Sequence, residues 1–119
     1  MRLLPLVLLL CACDPFAGSW SGTGLQDYDS KTSTFTVHLD LARGAVEGTS
    51  LGATGYRANL TGSYDEAGAA ILVFASAVDG SGAVQCVGNV SVSGADLAGS
   101  FTFASAGRDG SIALTARRD

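Results

Sequence analysis

From Ala17 onward the chain alternates apolar and polar residues with a period of two. Phe35, Val37, Leu39 and Leu41 form one row and Thr34, Thr36, His38 and Asp40 the other. Tyr56, Ala58, Leu60, Gly62 and Tyr64 oppose Arg57, Asn59, Thr61, Ser63 and Asp65 in the same way. So do Val84, Cys86, Gly88, Val90 and Val92 against Gln85, Val87, Asn89 and Ser91, and Ile112, Leu114 and Ala116 against Ala113, Thr115 and Arg117. Successive side chains of a strand point to opposite faces, so this pattern predicts antiparallel strands with one face on a core and one in water. No segment carries apolar residues at helical spacing. Residues 70–75 are apolar at every position, which predicts a strand covered on both sides or placed centrally.

Turn-forming clusters punctuate these runs: Arg43-Gly44, Asp65-Glu66-Ala67-Gly68, Asp79-Gly80-Ser81-Gly82, Ser93-Gly94-Ala95-Asp96 and Ala106-Gly107-Arg108-Asp109-Gly110. The longest polar stretch, Gln26 to Ser33, reads as a solvated first hairpin loop. Eight strands follow, at about 17–25, 33–42, 45–51, 56–65, 69–77, 82–92, 96–104 and 110–118. Short turns between neighbours make an antiparallel meander, and closing it on itself removes both exposed edges. The expected fold is therefore all-β, an eight-stranded antiparallel up-and-down barrel, with a two-sheet sandwich as the alternative. Recurrent Gly inside the strands, as in Leu60-Thr61-Gly62-Ser63 and Leu97-Ala98-Gly99-Ser100, suits sheets that coil sharply.

The first thirteen residues, MRLLPLVLLLCAC, follow a different rule. Arg2 gives a positive start, and the apolar run from Leu3 to Leu10 is too short to span a bilayer, which needs about 20 apolar residues. It has the length of a signal-peptide core. Leu10-Cys11-Ala12-Cys13 resembles the lipobox of bacterial lipoproteins, with Leu10 in the aliphatic position and the small Ala12 before the cut. Cys11 departs from the residue types usual at the intermediate position. The resemblance implies a signal peptide over 1–12, lipidation of Cys13 by diacylglycerol and a further palmitate-like chain, a short tether over 13–16, and a single barrel domain over 17–119. Two or more acyl chains anchor a protein stably where one does not. Asp14 after the lipidated Cys resembles the inner-membrane retention signal of enterobacterial lipoproteins.

Composition narrows the function classes. The 119 residues carry 7 basic and 11 acidic side chains, a formal net charge of −4, which speaks against a phosphate-binding surface and hence against nucleic acid. Charged residues are only 15 % and mean hydropathy is +0.32, which excludes a disordered chain. With Cys11 removed and Cys13 acylated, Cys86 stands alone and no internal disulfide can form.

Gly18-Ser19-Trp20 resembles the Gly-x-Trp start of calycins, the lipocalin and avidin-like barrels. There the Trp of the first strand plugs the closed end of the barrel, and in lipocalins a basic residue from the last strand lies across its indole. The resemblance implies that pairing here between Trp20 and Arg117 or Arg118, with Arg117 the first choice. Avidin-like proteins carry further Trp residues around their ligand, and Trp20 is the only one in this chain, which argues against biotin.

Other candidate chemistry is sparse. His38, the only His, falls on the water-facing row, without a second His or Cys to make a metal site. Gly48-Thr49-Ser50-Leu51-Gly52 spells a nucleophile elbow, but no helix follows it. Asp27 and Asp29 open like a calcium loop, yet the sixth and twelfth positions are Thr32 and His38 rather than Gly and Glu. Cys86 lies on an apolar row and reads as core.

No catalytic set, metal site or cofactor is expected. The expected function is a non-catalytic binding or interaction module of the bacterial cell envelope, held on the extracytoplasmic face of a membrane by its lipid anchor. Its partner is a small apolar ligand inside the barrel or an envelope protein outside it. A structural lipoprotein with an interior filled by Trp20, Phe35, Tyr56, Tyr64, Phe101 and Phe103 is the alternative, and a small hydrolase using His38 a remote third.

Overall fold

In the computed structural model of the chain, residues 14–66 and 70–119 are described. The signal peptide and lipidated Cys13 expected from the sequence lie outside these residues. Eight strands form in the order expected: β1 (Gly18–Tyr28), β2 (Lys31–Ala42), β3 (Ala45–Gly52), β4 (Arg57–Tyr64), β5 (Ala70–Ala77), β6 (Ala83–Ser93), β7 (Asp96–Ser105) and β8 (Arg108–Arg118). Each pairs antiparallel with its neighbour in sequence, and β8 returns to β1, so the sheet closes into an up-and-down barrel rather than a sandwich. No helix forms among the described residues.

The polar stretch from Gln26 to Ser33 is not a loop. β1 and β2 run on through it to the pair Tyr28↔Lys31, leaving only Asp29 and Ser30 as the turn. Both have positive φ, 54° and 61°, as do Arg43-Gly44 and Ala106-Gly107, and such turns match the right-handed twist of paired strands. Polarity misleads here because the ends of a hairpin project beyond the core and need no apolar row.

Nor is the all-apolar strand covered on both sides. A barrel of one layer gives every strand a wet face, so β5 buries Ile71 and Val73 inward and leaves Phe74 41 % exposed outside. Elsewhere the outer rows are largely Ser, Thr, Asn and charged residues while the inner rows are apolar. This is the reverse of a membrane-spanning barrel, whose outer band is apolar.

The core sits at one end. The β2–β3, β4–β5 and β6–β7 connections, the start of β1 and the end of β8 share that end. Trp20, Leu41, Val46 and Leu97 are fully buried there, Trp20 with 0 % exposure. Residues 14–17 fold across the opening. Trp20 donates its indole N–H to the Phe16 carbonyl at 2.9 Å, and the Phe16 ring meets Tyr64 edge-on at 5.8 Å between centroids.

Candidate ligand cavity

Toward the other end the inner rows change size. Gly24 pairs with Phe35 and Gly110 with Phe103, and a Cβ on either glycine would overlap its partner's ring. Each ring therefore lies along the barrel wall over a bare backbone instead of crossing the lumen. Ser50, Ala58 and Ala75 supply further small inward side chains. The result is a cavity of about 410 Å³, open to solvent among the β1–β2, β3–β4, β5–β6 and β7–β8 turns. Its floor is Leu39, Leu60 and Leu114, and its walls are Val37, Val73, Phe101 and Phe103. Polar side chains gather near the mouth, among them Gln26, Ser33, Ser50, Thr54 and Ser105. Tyr56 stands half exposed in the β3–β4 turn, and the Tyr28 hydroxyl donates to the Ser105 carbonyl at 2.6 Å, tying the first hairpin to the last. Among the described residues, no Asp, Glu, Lys, Arg or His lines the cavity.

The six aromatic residues expected inside thus divide: Trp20 and Tyr64 fill the closed end, while Phe35, Tyr56, Phe101 and Phe103 border the empty one. Cys86 is buried on the inner wall facing the cavity, and burial pushes its thiol pKa up, which keeps it protonated and unreactive.

Beneath the floor, the guanidinium over the indole of Trp20 belongs to Arg118, 4.2 Å from the ring centroid, and not to Arg117. Arg118 also donates to the carbonyls of Ala17 at 2.5 Å and Pro15 at 3.0 Å. The reason is parity. Leu114 and Ala116 point inward, so Arg118 does too, opposite Trp20 in the register, while Arg117 points out toward Asp96 at 3.2 Å. That alternation was visible in the sequence. Asp14 joins the same cap: its carboxylate accepts from the Tyr64 hydroxyl at 2.8 Å and from the Phe16 amide at 3.2 Å. Burial, with Asp14 as hydrogen-bond partner, pushes the Tyr64 pKa up to about 12.

Of the remaining candidates, Ser50 faces the cavity and the others stand on the outer wall. Gly48 to Gly52 lie within β3, in extended backbone, with no elbow. Asp27 accepts from the Thr32 hydroxyl at 2.6 Å and Asp29 pairs with Arg108, and no group of three metal-ligating side chains occurs among the described residues. His38 is 43 % exposed, and it has a hydroxyl partner that sequence reasoning missed: Ser21 on β1, 3.1 Å from Nδ1, opposite it in the register. Its Nε2 lies 3.2 Å from Asp40, whose carboxyl pKa is lowered chiefly by the hydrogen bond from Ser19. Asp119 approaches Nδ1 as well, at 3.4 Å. The trio has the residue types of a hydrolase but sits on a convex wall where the strand amides are already paired in the ladders, so no free N–H is offered to an oxyanion.

No protein-family model and no curated protein matches this chain. Among solved structures, Rv2717c from M. tuberculosis superposes with a TM-score of 0.55 at 16 % identity, over 92 % of this chain and 96 % of that one. A de novo designed fluorescence-activating β-barrel superposes with a TM-score of 0.51 at 15 % identity, over 87 % of this chain and 94 % of the design. At such identities the likeness is one of fold: a small closed β-barrel.

Proposed function

We propose that this chain is a lipid-anchored lipoprotein of the bacterial envelope whose barrel holds a small apolar molecule, without catalysing a reaction on it. The observation that carries this reading is the apolar cavity of about 410 Å³, open at the end opposite the point where the chain enters the fold. Barrels of eight strands are commonly just filled by their own side chains, and an apolar hollow left inside one favours an apolar guest. Geometry suits the anchor as well. Asp14, next to Cys13, is bonded into the closed end, so an acylated Cys13 would sit against that end. The mouth would then stand roughly 25–30 Å away, at the far tip of tilted strands that rise ~3.3 Å per residue. The polar outer wall fits a barrel that stands beside the bilayer rather than in it.

Two measurements test this. Metabolic labelling with a clickable fatty acid should mark the wild type and not Cys13→Ser; equal labelling would end the anchor reading. A neutral solvatochromic dye such as Nile red should brighten with a chain begun at position 13 carrying Cys13→Ser, which keeps the whole closed barrel and needs no detergent. Ala75→Trp, which fills the lumen, should abolish the brightening.

One observation favours a second reading, an interaction lipoprotein working through its outer wall. Leu72 pairs with Val87 across β5 and β6, beside Phe74, and Phe74 and Val87 are 41 % and 49 % exposed. Cross-linking in intact envelopes that recovers only the monomer would count against it.

A further inference from the structure

We infer that the ligand is an uncharged amphiphile, bound with its apolar body on the floor and a neutral hydrogen-bonding head at the mouth. This rests on the reading of the cavity as a binding site and goes beyond it by fixing the head group and the orientation.

Orientation follows from the order of residues along the strands. In the strand register the floor side chains Leu39, Leu60 and Leu114 sit one to three inward positions deeper than the polar groups of Gln26, Ser33 and Ser105. An apolar chain entering head-first would strip water from its head against hydrocarbon and aromatic walls with little beyond the Ser50 hydroxyl to bond it, whereas tail-first entry leaves the head among several hydroxyls, a carboxamide and solvent.

The neutral head follows from charge. Among the described residues no ionisable carboxylate, ammonium, guanidinium or imidazole lines the cavity, so neither a carboxylate nor an ammonium head would find a counter-ion in that lining. The rim adds no dominant sign of charge. Around the mouth Asp27, Asp29, Asp79 and Asp109 stand against Lys31, Arg57 and Arg108, a near-balanced set. Arg108 is already paired with Asp29, Asp27 is bonded by Thr32, and Asp79 is bonded by Ser81, which lowers its pKa. Lys31, the one lysine of the chain, is exposed at the end of β2 and is not part of the lining. Alcohols, amides and esters are the heads that such a mouth accepts without losing solvation they cannot replace.

The test uses the detergent-free chain loaded with Nile red and displaced by three compounds of one chain length: decanol, decanoate and decylammonium, at a pH where both ions are fully charged. Decanol should displace the dye at a concentration at least ~10-fold lower than either ion, the ratio that ~1.4 kcal/mol produces. Ser50→Lys, which sets an ammonium in the upper wall, should bring decanoate level with decanol or ahead of it. If decanoate or decylammonium displaces the dye as well as decanol does from the wild type, or none of the three displaces it, the head-group inference is overturned while the cavity still binds dye. If Nile red itself gains no fluorescence, the cavity reading falls and this inference with it.

Discussion

The two ends of this barrel are made from the same eight strands with the same alternation, yet one is solid and the other hollow. At the closed end the inward positions hold Trp20, Leu41, Val46, Tyr64 and Leu97, and residues 14–17 add Phe16 as a lid. At the open end they hold Gly24, Ser50, Ala58, Ala75 and Gly110, with aromatic rings laid along the wall. The strand number fixes the width of the lumen, so side-chain volume alone decides whether it is filled. Stability and binding capacity are thereby separated along one axis. Apolar area is buried where the chain enters and leaves, and the far end is left with surface that only a guest can cover.

The largest expected effect tests that separation directly. Trp20→Ala removes the most buried large side chain together with its hydrogen bond to Phe16 and should cost about 3–5 kcal/mol, read from the shift in denaturant midpoint. Phe35→Ala, on the cavity wall, should cost only about 1–2 kcal/mol, because its ring already borders solvent-accessible space, while weakening dye binding. Equal losses at the two sites would mean that the open end carries as much of the stability as the closed one.

A smaller contrast lies beneath the floor. Arg118→Met keeps a long apolar stem but loses the charge over the indole and the two bonds to the entering strap, and should cost about 1 kcal/mol or somewhat more. Arg117→Met touches only the exposed pair with Asp96 and should stay within about 0.5 kcal/mol of wild type. Comparing thermal midpoints of the two variants decides which of the neighbouring arginines belongs to the closed end.

Strand faces were legible in the sequence because alternation depends only on the chain's own pleat, and Phe35 to Leu41 or Val84 to Val92 declare it without help. The height of a residue in the barrel is a different quantity. It depends on where each turn falls and how neighbouring strands are staggered, so the sequence places Phe35 and Trp20 in one interior while Leu39, not Phe35, is the residue opposite Trp20. Rows assembled by height would have shown small residues gathering beside the β1–β2, β3–β4 and β5–β6 turns, and with them the cavity. The Ser21–His38 contact was hidden for the same reason, since only cross-strand register puts residues seventeen apart within reach. The roles of Arg117 and Arg118 were legible in principle, because the alternation that buries Ala116 also turns Arg118 inward.

The smallest effect concerns the fastening of the lid, and its sign depends on pH. The Tyr64 hydroxyl donates to Asp14, and at neutral pH Tyr64→Phe should cost about 1 kcal/mol for that bond. The ordinary tyrosine value is 10.0, and in the fold the pKa is pushed up to about 12, so between these values the unfolded chain releases a proton that the folded one keeps. Unfolding is then favoured by rising pH: the contribution is fully present below pH 10 and disappears as pH climbs through about 12. Phenylalanine cannot ionise, so the gap between wild type and Tyr64→Phe should narrow across that window and then reverse. Trp20 offers a local readout, since its indole is bonded to Phe16 within the same strap, and its emission should shift to the red over that pH range in the wild type alone. A lid held by this bond should lift in alkali while the distant mouth still brightens Nile red; simultaneous loss of both signals would show that the two ends melt as one.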